Sequence, residues 1–107
     1  MENIELNLNT ALDLISKEQF VEAKEILKNI IKKDNTNTEA LKSLGLCEVN
    51  LDNPTEAIKA FEEVYKLNKD DTTSTFYLAN CYSSTGQKEK AIEKFKEVLA
   101  LRPDYID

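Results

Sequence analysis

Moved along itself by 34 residues, this 107-residue chain falls on its own copy. Ala23 meets Ala57 and Ala91, Leu27 meets Phe61 and Phe95, and Ile30 meets Val64 and Val98. Upstream, Ala11 meets Gly45 and Ala79, and Leu14 meets Glu48 and Tyr82. Three copies follow without a gap, over residues 4–37, 38–71 and 72–105. A fixed period of this length constrains the fold more than any other feature. Each copy is one supersecondary unit that cannot bury its apolar face alone, so neighbours must stack. The expectation is one domain over residues 1–107.

Inside each copy the apolar spacing is helical. Leu41, Leu44, Gly45 and Leu51 share a face, and Ala57, Ile58, Phe61, Val64 and Tyr65 form a second stripe. Between them, Asn53-Pro54-Thr55-Glu56 reads as a helix start, with Asn53 as cap, Pro54 at the first helical place and Glu56 closing a capping box. Gly86 suits a left-handed helix end, and Pro103 follows the last stripe. In the first copy the break is softer, at Ser16 to Gln19. Helices are predicted near 3–16, 20–33, 38–51, 54–67, 72–84 and 88–101. The chain holds only two Gly and two Pro, which favours an all-α fold over a sandwich or barrel. Breaks about every 17 residues come too soon for a long coiled coil.

Chemistry has little to work with. The chain has no His, so no imidazole base or His metal ligand exists. Two cysteines alone make no structural zinc site, and the two glycines are too far apart for a phosphate loop. Neither catalysis nor a cofactor is expected. Glu22, Glu25, Glu62, Glu63, Glu93 and Glu97 read as a solvated outer surface. Cys47 and Cys81 hold the same place in successive copies, about one helix diameter (~10 Å) apart, whereas a disulfide needs Cα atoms within about 7 Å. They are expected to be inert core thiols.

The net charge is −6, and the three copies carry −1, −4 and +1. Such a surface repels nucleic-acid phosphate and anionic lipid. No apolar run approaches the roughly 18 residues of a membrane span. The start, Met1-Glu2-Asn3-Ile4-Glu5, lacks a secretion signal, so a cytoplasmic address is the default.

The period and residue types resemble the tetratricopeptide repeat, whose pattern runs Trp-x-x-Leu-Gly-x-x-Tyr, then Ala-x-x-x-Phe, then Pro. The second copy matches with Leu41, Leu44, Gly45, Ala57 and Phe61, and the third with Leu78, Ala79, Tyr82, Ala91, Phe95 and Pro103. The first copy is degenerate, with Asn7 and Thr10 where large apolar residues belong. Glu48 departs where the pattern wants an aromatic ring, and is expected to reach solvent or a donor. The resemblance implies a right-handed superhelical solenoid of three antiparallel helix–turn–helix units, six helices in all. Small residues (Ala11 with Ala23, Gly45 with Ala57, Ala79 with Ala91) would let each helix pair approach closely, with Phe61 and Phe95 filling space farther along.

The same resemblance assigns first helices to a concave groove. The places facing a partner are Leu8, Leu12, Ile15, Lys42, Leu46, Val49, Phe76, Asn80 and Ser83, flanked by Glu5, Ser16, Glu39, Asn50, Thr73 and Ser84. Leu8, Leu12 and Ile15 stand at i, i+4 and i+7, away from the core face of Ala11 and Leu14. They either meet a partner or seal adjacent first helices together. The best-known relatives clamp chaperone carboxylates with Lys, Asn and Arg. Leu8, Leu12, Ser43, Thr73 and Tyr77 stand at those places here, so an apolar or helical protein or peptide partner is expected instead. The last residues look like the opening of a further repeat. Tyr77, Leu99, Tyr105 and Ile106 are therefore expected at an open apolar end, which either continues into a longer repeat array or is covered by a second copy as a homodimer.

Overall fold

Each hairpin turns where the chain leaves its first helix through a left-handed residue. These residues are Glu18 (φ 60°), Asp52 (φ 61°) and Gly86 (φ 81°), one per repeat. The following residue donates its N–H back across the helix end at 2.8 Å in all three: Gln19 to the Leu14 carbonyl, Asn53 to Glu48 and Gln87 to Tyr82. The left-handed residues donate to Ile15, Val49 and Ser83 at 2.9–3.1 Å. This pair of bonds satisfies carbonyls that a helix end otherwise leaves without partners. The first turn is therefore as sharp as the third, not softer. It uses a glutamate where glycine carries no Cβ penalty.

A computed structural model describes residues 4–104. Its helices are α1 (Ile4–Ser16), α2 (Phe20–Lys33), α3 (Thr38–Asn50), α4 (Pro54–Leu67), α5 (Thr72–Ser84) and α6 (Lys88–Leu101). The described part of every helix agrees with the predicted span except at α3, which ends at Asn50 with Leu51 as its C-cap. The caps differ from expectation. Asn53 makes no side-chain cap at α4, and Glu56 pairs with Lys59 at 3.1 Å instead of closing a capping box. Side-chain caps lie between repeats: Asn37 accepts from the Ala40 N–H and Asp71 from the Ser74 N–H, both at 3.0 Å.

Consecutive helices pack as antiparallel neighbours, and each second helix also packs on the first helix of the next repeat. The result is an all-α solenoid, elongated at 43 × 24 × 23 Å. Its core divides in two. Ala11, Ala23, Leu27, Ile30, Ala40 and Cys47 join the first hairpin to α3. Ala57, Ile58, Phe61, Leu78, Cys81, Tyr82 and Ala91 join α4 to the third hairpin. The small residues at the crossings, Ala11, Ala23, Gly45, Ala57, Ala79 and Ala91, are all buried. Phe61 does not lie farther along: its ring tip sits on Gly45, where a Cβ would come within 2.5 Å of Cζ. The ring is stacked on Tyr77, with centroids 5.6 Å apart.

Polar contacts lock the repeats together. Glu48 is 2% exposed, and its carboxylate lies 3.1 Å from Lys24 Nζ and accepts from Asn53 Nδ2 at 3.0 Å. The carboxylate thus finds donors instead of solvent, and a buried charge with two such donors avoids the cost of an isolated one. At the equivalent place, Tyr82 donates its hydroxyl to Glu62 at 2.6 Å. Tyr65 donates to Glu97, whose other oxygen lies 2.9 Å from Lys94 Nζ, and that ammonium sits 3.9 Å from the Tyr65 ring centroid. Glu62 and Glu97 are therefore inter-repeat acceptors, not merely solvated surface.

Candidate functional site

The residues assigned to the groove split according to what covers them. Leu8 and Ile15 are half-buried against the first core cluster and Leu46 against the second, so these three seal neighbouring helices. Leu12 (39% exposed) and Val49 (37% exposed) stay open. Phe76 is half-buried and meets Tyr77 and Phe95 edge to face. Asn80 and Ser83 are exposed. Lys42, the groove's one cation in register, lies 3.0 Å from the Asp71 carboxylate of the next repeat's cap. Burial alone would raise the Asp71 carboxyl, but the Ser74 N–H and the Lys42 ammonium outweigh it and hold it below its ordinary value.

A cavity of about 370 Å³ opens where the α3–α4 turn meets α5. Val49, Asp52, Pro54, Tyr77, Asn80, Cys81 and Ser84 line it. Cys81 is buried, Tyr77 and Pro54 are half-buried, and the other four are exposed. Val49, Asn80 and Ser84 come from groove places. Asp52, Pro54, Tyr77 and Cys81 are not among the groove places, though Tyr77 stands at one of the clamp places of the resemblance. Tyr77, expected at the open end, stacks on Phe61 and so turns toward the second repeat. Register carries that signal, because the same clamp place one repeat earlier holds Ser43, which is buried.

At the outer face of the third repeat, Leu99 is exposed, as are Ile92 (55%) and Leu101. Ile92 was missed from sequence, although the equivalent residue one repeat earlier, Ile58, is 8% exposed and sits in the second core cluster. Tyr105 and Ile106 lie outside the described residues. The thiols occupy separate clusters, and both are free. Burial, helped by the Glu48 charge, pushes Cys47 up to about 11, and burial also raises Cys81. Among the described residues no group of side chains has the makings of a metal site, and no helix is long and apolar enough to cross a membrane.

Comparison with known proteins agrees with this geometry. The sequence profile of the tetratricopeptide repeat matches residues 8–72 and again 48–106. The solved structure of MamA superposes with a TM-score of 0.93 at 28% identity, over 97% of this chain and 61% of that one. YrrB, described as having an unusual peptide-binding site, gives 0.89 at 24% identity, over 99% and 55%. The Yersinia enterocolitica secretion chaperone SycD, solved with a peptide of the translocator YopD, gives 0.88 at 15%, over 95% and 78%. A probable UDP-N-acetylglucosamine–peptide N-acetylglucosaminyltransferase, SPINDLY of Hordeum vulgare, is 25% identical over 92 residues. That stretch is 86% of this chain and a tenth of the transferase.

Proposed function

This chain belongs to the tetratricopeptide repeat family, and on that premise we propose that it is a protein-interaction module without catalysis. The three hairpins act as one unit whose first-helix face holds a peptide or helix of a partner. The observation that carries this reading is the pair of open apolar side chains, Leu12 and Val49, on a face that ends in a 370 Å³ cavity. Side chains needed only for packing would be covered, as Leu8, Ile15 and Leu46 are. Concave sites lined by apolar groups with a few polar ones are where proteins hold ligands. YrrB and SycD, which share the fold, are described with peptide sites or peptides. The test is selection from a displayed random dodecapeptide library, followed by fluorescence anisotropy. Selected peptides should bind the parent and lose about tenfold or more on Leu12→Asp/Val49→Asp, since a carboxylate in an apolar contact stays desolvated. Failure to enrich any peptide, or binding that ignores both substitutions, would overturn the reading.

A second reading, self-association through the outer face of α6, has one observation in its favour. Ile92 and Leu99 lie at i and i+7 and are exposed, while Phe95 between them turns inward against the second core cluster, and the stacking that covers Ile58 is missing there among the described residues. A two-fold pairing of copies would bury this stripe twice. Sedimentation equilibrium should show a dimer that Ile92→Lys/Leu99→Lys weakens, and a monomer at high micromolar concentration would remove this reading.

A further inference from the structure

We propose that the cavity between the α3–α4 turn and α5 receives a lysine or arginine side chain of the bound segment. The inference rests on the groove reading above and narrows the partner to one that carries a basic residue beside apolar ones.

Four features favour a cation. Asp52, an exposed left-handed residue, lines the cavity, and among the described residues no cation pairs with its carboxylate. The groove's own cation, Lys42, is held by Asp71. The cavity is also lined by the last turns of two helices, α3 through Val49 and α5 through Cys81 and Ser84. Neither helix has a basic residue in its last turn. The negative ends of two helix dipoles therefore lie beside the cavity without a cation of their own, against the one positive end that Pro54 brings at the start of α4. Finally, the second repeat carries −4 of the net −6, which draws cationic segments toward this part of the surface.

The lining also suits the rest of such a side chain. Long basic residues bury their methylene stems against apolar surface while the charged head keeps polar contacts. Val49, Pro54 and the Tyr77 ring supply the apolar surface, and an aromatic face attracts the cation itself. Asn80 offers an amide oxygen. Ser84 already donates to the Cys81 carbonyl at 3.0 Å, which leaves its hydroxyl lone pairs to accept. A purely apolar side chain in the same place would shield Asp52 from water with nothing to offset the cost. An anionic one would meet like charge.

The experiment uses the full chain and peptides selected from the dodecapeptide library, each compared with its arginine-to-citrulline or lysine-to-norleucine version. The parent should enrich peptides with a basic residue next to apolar ones, and loss of that charge should weaken binding about tenfold, as for one charge-assisted hydrogen bond. Asp52→Asn should lose about as much on the charged peptide and little on the neutral one. Asparagine tolerates the left-handed backbone, so an unchanged melting curve will show that the fold is kept. Ser84→Arg, which supplies the cation from within, should abolish the preference for a basic residue. Enriched peptides with no basic residue, or an Asp52→Asn variant that binds within about twofold of the parent, would overturn this inference and leave the groove reading standing. No enrichment on the parent overturns the groove reading itself.

Discussion

Replacing Gly45 by alanine should destabilise the solenoid, although alanine is the better helix former. A Cβ built on Gly45 comes within 2.5 Å of Phe61 Cζ and within 2.7 Å of both Cε atoms. Carbon atoms rest at about 3.5–4.0 Å, so the ring has to retreat by about 1 Å. It has little room to do so: Phe61 is 1% exposed, and the Tyr77 ring lies on it at 5.6 Å with planes 8° apart. Three close contacts on a ring confined in this way put the strain near the top of the overpacking range, about 3 kcal/mol. Alanine returns about 1 kcal/mol in helix propensity, which leaves a net loss of about 2 kcal/mol. With a urea slope of about 2 kcal/mol/M, the unfolding midpoint followed by far-UV circular dichroism should fall by about 1 M. The first repeat supplies the control, because there the equivalent places hold Ala11 and Leu27, both buried. Adding Phe61→Leu to Gly45→Ala recreates that pair. The two substitutions should therefore be non-additive by more than about 1 kcal/mol, the glycine change costing far less once the ring is gone. A Gly45→Ala chain as stable as its parent, or strict additivity, would refute the close approach of ring and backbone.

Glu18→Gly should stabilise the chain by about 1 kcal/mol, because a left-handed glutamate carries a Cβ penalty of about 1–2 kcal/mol that glycine's extra unfolded-state freedom only partly offsets; thermal melts check it, and a lower melting temperature would contradict the helix-end geometry. The Asp71 carboxyl is held below its ordinary value in the folded chain, so its share of stability is present above the unfolded value of about 3.9 and is lost as pH falls through the folded one. Asp71→Asn keeps a cap of the Asn37 kind but loses the ion pair with Lys42, so the stability gap to the parent, followed by urea melts, should be widest near neutral pH and close in acid. Cys47 and Cys81 should react with iodoacetamide at pH 8 at no more than about a tenth of the rate seen in urea, since both are buried and raised above the ordinary thiol value. Equal rates measured by intact mass would place the thiols at the surface.

What the sequence disclosed and what it hid follow from the range of the interactions. Helix positions depend on local spacing repeated three times, so period and stripe were enough to place all six. The left-handed exits were legible only at Gly86, where residue type announces the backbone. Glu18 and Asp52 adopt the same conformation under side chains that do not advertise it, and only the register links them. The caps went astray for a related reason. Asn53 beside Pro54 looks like a local signal, yet its amide is drawn away by buried Glu48, whose other donor, Lys24, comes from the preceding repeat.

The groove was harder because the difference between sealing and displaying is a matter of angle. Leu8, Leu12 and Ile15 share one stripe, and Leu12, which stands at the edge of that stripe, alone of the three escapes cover. No pattern along one helix carries that information, which depends on where the next hairpin stacks. The cavity is more remote still, since the end of α3, the α3–α4 turn and three turns of α5 must meet before Asp52 faces anything at all. A charge in a turn reads as solvated surface. It becomes a recognition element only when the stacking of the next repeat places an aromatic ring, an amide and a second helix end around it. In a solenoid the repeat unit therefore specifies the scaffold, while specificity arises between repeats, where substitutions such as Tyr77 for Ser43 and Asp52 for Glu18 leave the fold intact and change what its surface can hold.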